Sequence, residues 1–498
     1  LNPNQVFSYA VNATGEQTTR SFDDNGTLRE TTTTQSDWAG RIVRVDYMDG
    51  AFETMHYNSI GQLVRTVDAD GIVTLFAYNT RGERTTTATD LVPDSNYDDE
   101  LNNIEYGTDT VNFSETIPAH DANSDPIWQT TRKVWQDGDT DPTAGTVVST
   151  TTRTPDGLET ISQSTGVANP STSLTTLGVN GNWTQKTTNP DRTFSLITYT
   201  DGLQKKAEIF EVGADPENDD PIASTSQSYD TLNRPIQSTD SRTGTSTIAY
   251  LSATADLTAS VTDPGGRTTT FTYDIRSRRI EVDAPDTLDA DGNTLANITT
   301  TAYFPDGNVQ ETSGDQTYRT THTYDYADRQ VTMTTYGTET ATTTWNYDAQ
   351  RGFLTRKEYP DGKGTDYTYT AAGRLATRTW ERGNHTRYDY DSAGRMEHTR
   401  YFLAANDDTG TNAGNDPDTP DVSVTYDALS RQLTQSNGVA TSTFAYDAST
   451  LQLDTETIAY DLDTDGFIDF TRVLDRSQDS LSRDSGWQLG TVAQYNAG

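Results

Sequence analysis

The fold is decided by residues 367–396. They read Tyr367-Thr368-Tyr369-Thr370-Ala371-Ala372-Gly373-Arg374-Leu375 and, 21 residues on, Tyr388-Asp389-Tyr390-Asp391-Ser392-Ala393-Gly394-Arg395-Met396. Aromatic residues two apart lie on one face of a strand. An Asp after the second aromatic can accept hydrogen bonds from backbone amides two residues on, and Gly supplies a left-handed turn residue. Arg and an apolar residue then open a return strand. Each unit therefore reads as strand, turn, strand.

The unit recurs. Looser copies run Tyr426-Asp427 to Arg431, Tyr324-Asp325 to Arg329, Tyr273-Asp274 to Arg278 and Tyr229-Asp230 to Arg234. Near the start stand Tyr57-Asn58-Ser59-Ile60-Gly61-Gln62 and Tyr78-Asn79-Thr80-Arg81-Gly82-Glu83. Where Ser or Asp replaces the turn Gly, a more strained turn is expected. Tyr57 to Tyr78, Tyr303 to Tyr324 and Tyr369 to Tyr390 are each 21 residues apart, and Tyr426 to Tyr446 is 20. A second turn, often Asp-Gly as at Asp70-Gly71, Asp156-Gly157, Asp306-Gly307 and Asp361-Gly362, closes each unit. One hairpin cannot bury both its faces, so the units must stack edge to edge. The expected fold is all-β, a run of stacked hairpins with a period of about 21 residues.

The pattern from Tyr359 to Arg400, Tyr-Pro-Asp-Gly followed by the two units quoted above, resembles the RHS/YD-repeat family. The resemblance covers most of residues 50–450 and is weak between 85 and 225. It implies stacked YD hairpins that spiral into a long sheet or hollow β-shell, as in bacterial RHS-repeat proteins, Tc-toxin shell components and teneurin-type shells. It divides the chain into an N-terminal β region, 1–50, with Phe22–Leu28 as a variant motif; a repeat array, 51–450; and divergent repeats, 451–498. Acidic, Gly- and Pro-rich insertions at 90–103, 136–145, 213–221, 284–297 and 403–421 are expected as surface loops. The final Tyr495-Asn496-Ala497-Gly498 opens like another copy, so both ends look cut from a longer chain.

Composition agrees with this reading. Threonine leads with 91 of 498 residues, beside 26 Tyr, 14 Phe and 7 Trp; these are strand formers and a disordered chain would be poor in aromatics. With 36 basic and 74 acidic residues the net charge is −38. Such a surface repels phosphate backbones and anionic lipid, so nucleic acid and membrane insertion are poor expectations. The basic residues are 30 Arg and 6 Lys. Arg offers a planar fork that pairs with carboxylates and stacks on rings, which suits a Tyr-rich sheet. The absence of cysteine excludes disulfides, thiolate nucleophiles and Cys-based zinc sites.

One stretch points to a metal. Asp461, Asp463, Asp465 and Asp469, with Gly466 at the sixth position, copy the first nine positions of an EF-hand loop and could take Ca²⁺. Arg472 stands where the twelfth-position carboxylate belongs. Asp289-Ala290-Asp291-Gly292-Asn293 and Asp137-Gly138-Asp139-Thr140-Asp141 are shorter versions. The plain alternative is acidic hairpin turns. His56, His120, His322, His385 and His398 fall in no metal-binding or catalytic spacing, and no nucleophile elbow or phosphate loop is present. No enzyme is expected. The residues singled out are architectural: Tyr57, Gly61, Tyr78, Gly82, Tyr229, Arg234, Tyr273, Arg278, Tyr324, Arg329, Tyr369, Gly373, Arg374, Tyr390, Asp391, Gly394, Arg395, Tyr426, Asp427 and Arg431. The resemblance implies a secreted or cell-surface bacterial shell around a polypeptide, toxin-like cargo, with other protein subunits as partners. The acidic loops leave open a second expectation, an extracellular adhesion scaffold or filament binding cations, glycans or partner subunits.

Overall fold

The structure, a computed structural model, describes residues 4–92, 104–409, 416, 419–462, 466–479 and 481–490. It is all-β: 38 strands form one sheet in which each strand pairs antiparallel with the strand before and the strand after it. The sheet is open at Gln5–Asn12 and at Asp484–Leu489 and runs unbroken through positions 50 and 450. Among the described residues the helical content is a single turn, Ala405–Asp407.

The period-2 stretches become strands because Thr, Tyr and Phe fit a pleated, half-buried surface. Hydroxyl pairs bridge neighbouring strands on the face opposite the repeat tyrosines. They include Thr239–Thr245 at 2.9 Å, Thr262–Thr268 at 2.8 Å, Thr334–Thr342 at 2.9 Å and Thr425–Thr434 at 2.7 Å. This explains the threonine excess in a sheet with no second layer to pack against. Among the described residues one apolar core cluster forms, where loop residues meet the sheet: Val73, Leu75, Ala88, Val111 and Trp135 are buried together, flanked by Ile104, Tyr106 and Phe113.

Each repeat also carries a feature that the sequence pattern does not announce. The pairing register slips by one residue just before the repeat tyrosine, as between His56 and Tyr57, Thr323 and Tyr324, and Asp389 and Tyr390. These are β-bulges, which bend a strand and add twist. Repeated once per hairpin, they curve the sheet in one sense until it meets itself.

The meeting is recorded in contacts some 300 residues apart in sequence. On one edge, Asp49, Asp70, Leu91 and Asp137 lie in four successive turns. They touch Arg351, Arg374, Ser392 and Ala428, in four successive turns of the opposite edge. Each pair is separated by 23 strands. The sheet is thus a coiled ribbon of more than one full turn whose edges join along a seam. At a strand spacing of about 4.8 Å, 23 strands give a perimeter of at least ~110 Å and a diameter of at least ~35 Å.

Two local expectations change. The stretch 284–297 is mostly strand rather than loop: Arg279–Leu288 and Thr294–Tyr303 pair along it and turn only at 289–292. Its alternating apolar residues, Leu288 opposite Thr294 and Leu295 opposite Thr287, extend the ladder. The Phe22–Leu28 variant motif forms a two-residue hairpin turn, with Asn25 and Gly26 at φ 52° and 88°, on the edge opposite the repeat turns. Asn-Gly is the pair that such a turn demands. The insertions 136–145 and 213–221 are loops between strands. Most of 90–103, part of 403–421 and the terminal 491–498 lie outside the described residues.

Candidate functional site

The repeat residues assemble into a lock that joins each hairpin to the next. In the unit beginning at Tyr390, Asp391 Oδ1 accepts the Ala393 and Arg395 backbone N–H groups at 2.9 Å each, while Oδ2 accepts Arg395 Nε at 2.7 Å. Gly394 sits between them at φ 74°. The Arg395 guanidinium, held flat by its aspartate, donates to the Asp427 carbonyl of the following turn at 3.1 Å. It lies 4.7 Å from the centre of the Tyr426 ring. Tyr426 closes the circuit by donating its hydroxyl proton to the Met396 carbonyl at 2.7 Å. The aspartate orders the arginine, the arginine covers the next tyrosine, and the tyrosine ties back to the strand behind it.

The same circuit runs through Asp230, Arg234 and Tyr250, through Asp274, Arg278 and Tyr303, through Asp325, Arg329 and Tyr347, and through Asp427, Arg431 and Tyr446. Tyr57 and Tyr78 donate to the Ile42 and Leu63 carbonyls, and Tyr229, Tyr273 and Tyr390 to those of Gln204, Thr258 and Leu375. Arginine contact holds the Asp37, Asp230 and Asp479 carboxyls below their ordinary value. Burial pushes the Tyr390 and Tyr426 phenols up. Gly61, Gly82 and Gly373 take φ 89°, 81° and 88°. Asn233, Ser277, Asp328 and Ser430 adopt the same left-handed conformation, at 61–64°, at a steric cost glycine does not bear. The turns after Tyr57 and Tyr78 replace the Asp–Arg pair with other chemistry. Asn58 donates to Gln62, and Gln62 reaches the Gly82 carbonyl; Asn79 donates to Glu83.

The unit at Tyr369 departs from the rest, and the departure reveals the seam. Thr370 stands where the aspartate belongs, so Arg374 has no local carboxylate. Asp70, from the previous coil, takes the place. It accepts Thr370 Oγ1 at 2.7 Å, the Ala372 N–H at 2.9 Å and Arg374 Nη1 at 2.5 Å, while Asp68 accepts Arg374 Nη2 at 2.8 Å. Burial alone would raise the Asp70 carboxyl, but these donors bring it net below its ordinary value. Neighbouring contacts follow suit. Arg351 pairs with Asp49 at 3.1 Å, Arg329 pairs with Glu30 at 2.6 Å, Tyr326 donates to Glu30 at 2.7 Å, and the Ala428 N–H donates to Asp137 at 2.7 Å. Two of the seam turns carry alanine at the tip, Ala371-Ala372 and Ala428, whereas the uncovered turns carry Ile60, Leu232 and Ile275, all exposed.

A charged cluster anchors the 403–421 insertion. Asp408 contacts His385 Nε2 at 3.3 Å and Arg387; Arg387 and Arg400 share Asp389; Arg400 reaches Asp421. His385 is buried and pairs with Thr379 at 2.7 Å. The cluster pins the loop to the strands beneath it. Sequence spacing could not reveal it, because its members come from strand and insertion alike. His322 pairs with Gln330 on the adjacent strand at 3.2 Å.

Of the four metal candidates, Asp463 and Asp465 lie outside the described residues. Asp461 accepts the Gly466 N–H at 2.9 Å and Asp469 the Leu462 N–H at 2.7 Å, so both shape the turn. Arg472 lies 5.7 Å from the Phe470 ring centre. In the shorter versions Asp289 caps its own turn, through the Asp291 and Asn293 N–H groups, and Asp137 serves the seam. Among the described residues no group of three or more His, Asp or Glu stands ready to hold a metal, and no helix is long and apolar enough to cross a membrane.

No curated protein sequence matches the chain. Among solved structures it is similar to TcdB2-TccC3-TEV, at 13% identity and a TM-score of 0.38, over 97% of this chain and 33% of that one. It is also similar to TcdB2-TccC3 without its hypervariable C-terminal region, at 12% and 0.39, over 98% and 33%. A third is the Photorhabdus luminescens Tc holotoxin pore carrying TccC3-D651A, at 13% and 0.38, over 98% and 32%. The chain thus spans about a third of the length of these neighbours. The RHS Repeat family model matches residues 57–94 and 254–294, each of which contains a tyrosine and turn of the lock described above. With that lock recurring along the coiled sheet, the chain carries RHS repeats.

Proposed function

We propose that the chain is a non-catalytic structural segment of a β-shell in a secreted or cell-surface bacterial protein, built to enclose or present a polypeptide cargo. The observation that carries this is the closure of the ribbon after 23 strands, with its two edges joined. A curved single-layer sheet joined at its edges surrounds a space, and a ring at least ~35 Å across admits a polypeptide. Lock residues such as Asp391, Arg395 and Tyr426 are occupied in holding strand to strand, which suits a wall. The partners are the cargo and the other subunits of a larger assembly.

A second reading, an extracellular scaffold or filament that binds cations, glycans or partner subunits, is favoured by one observation. The uncovered turn tips Ile60, Leu232 and Ile275 are 77%, 51% and 103% exposed on the rim that no coil covers. Electron microscopy of the native assembly separates the two. Discrete hollow particles with internal density support the shell; continuous filaments overturn it. Calcium at Asp461–Asp469 is part of the second reading and is tested by calorimetric titration of the chain with CaCl₂.

A further inference from the structure

The strands and the seam are held by different forces. Strand pairing rests on backbone ladders along the whole chain. The seam rests on carboxylates of the first coil: Glu30 facing Arg329 and Tyr326, Asp49 facing Arg351, Asp68 facing Arg374, Asp70 facing Arg374, Thr370 and the Ala372 N–H, and Asp137 facing the Ala428 N–H. Neighbouring titratable groups are Tyr47 and Glu53 beside Asp49, Tyr390 beside Asp70, and Asp325, which shares Arg329 with Glu30. Contacts that need no carboxylate also cross the seam, among them the Glu30 N–H to the Ala349 carbonyl, Asn4 to the Tyr326 carbonyl, Ser392 to the Leu91 carbonyl, Thr110 with Ser430, Gln136 to the Ala448 carbonyl, Phe22 against Tyr326, and the Arg351 guanidinium 3.7 Å from the Tyr47 ring centre.

From this asymmetry we propose that the seam is an acid-releasable latch: loss of its carboxylate charge, at Asp70 foremost, parts the coils while the strands stay paired, opening the ring. The direction follows from linkage. A carboxylate held below its ordinary value by folded-state donors contributes stability that is complete above the unfolded value, about 4, and is lost as pH falls through the folded one. Asp70 is such a group. Acid also turns a chain of net charge −38 positive, because 36 Lys and Arg remain charged. Arg329, Arg351 and Arg374 then face protonated acids across the seam. The Asp230–Arg234 and Asp274–Arg278 locks weaken in acid as well, but their strands remain tied by backbone hydrogen bonds. The latch does not depend on what the ring encloses.

The chain has no cysteine, so Met48→Cys with Ala371→Cys places one nitroxide on each side of the seam of the full chain. Pulsed electron–electron resonance then reads the distance. At pH 7 a single short distance is expected. At pH 3 the short population is expected to be lost to longer, broad distances while the far-ultraviolet strand signal persists. A variant carrying Glu30→Gln, Asp49→Asn, Asp68→Asn, Asp70→Asn and Asp137→Asn on the labelled background should show the long distances already at pH 7. A short distance that survives to pH 3, a strand signal lost in the same step, or an amide variant that stays closed at pH 7 would each overturn the proposal.

Discussion

Removing the Asp70 carboxylate by Asp70→Ala should unfasten one turn without disturbing its hairpin. Asp70 accepts three hydrogen bonds from the turn 370–374, one from a guanidinium, and its side chain is 19% exposed. A charge-assisted bond contributes ~1.5–3 kcal/mol and a neutral one ~0.5–1.5. Water can re-solvate the Thr370 hydroxyl and part of the guanidinium, so the net cost should be ~2 kcal/mol. That corresponds to about a thirtyfold rise in the local opening constant. Hydrogen exchange resolved at the Ala372 amide reads this directly, and equilibrium unfolding does not, because a long repeat array is not two-state. The control is the Ala393 amide, which accepts no help across the seam because Asp391 caps it locally at 2.9 Å. Adding Thr370→Asp should return protection to Ala372 by restoring the local lock. Unchanged exchange at Ala372 in Asp70→Ala, or an equal rise at Ala393, would refute the assignment of Asp70 as the carboxylate of that turn.

Other outcomes follow from the same geometry. Ser277→Gly relieves a φ of 63° at an exposed position and should slow local exchange at 274–278 by a factor equivalent to ~1 kcal/mol. Gly394→Ala should cost its own turn more protection from hydrogen exchange than Gly181→Ala costs the turn at 181. Both sit near φ 75°, but only the first would drive its Cβ to 2.5 Å from Ile72 Cδ1. Tyr390→Phe deletes the bond to the Leu375 carbonyl and should weaken protection of the adjoining strands by ~1 kcal/mol. Burial, aided by hydrogen bonds to Glu53 and Glu30, pushes Tyr47 and Tyr326 up to about 12. Their stabilisation is therefore complete below the unfolded value, about 10, and is lost as pH rises through about 12. Tyrosinate absorbance between pH 10 and 11 should be the same in Tyr326→Phe and the parent chain.

The hairpin, its turn residues and its period were legible because each is local. Tyr-x-Tyr fixes a strand face, Asp fixes the turn, and Gly394 or Ser277 fills a left-handed position within a few residues. The strain anticipated at Ser and Asp substitutions is seen at Ser277, Asp328 and Ser430. The bulges were hidden because their signal is one extra residue with no distinctive chemistry. The seam was hidden because Asp70 and Arg374 are 304 residues apart. Its traces lay in the text all the same: Thr370 in place of aspartate, and paired alanines where uncovered turns carry Ile60 or Ile275. Acidity misled at 284–297, where pairing of long strands outweighs the charge.

The closure of the coil can be tested most directly with a disulfide. Thr110 and Ser430 are 320 residues apart in sequence, and their hydroxyl oxygens lie 3.3 Å apart across the seam. Thr110→Cys with Ser430→Cys, in a chain that has no other cysteine, should form an intramolecular disulfide under mild oxidation at neutral pH. Thr110→Cys with Ser277→Cys, which places the second thiol on an uncovered turn, should not. Failure of the first pair to close, or equal closure of the second, would contradict a ribbon that joins its edges after 23 strands.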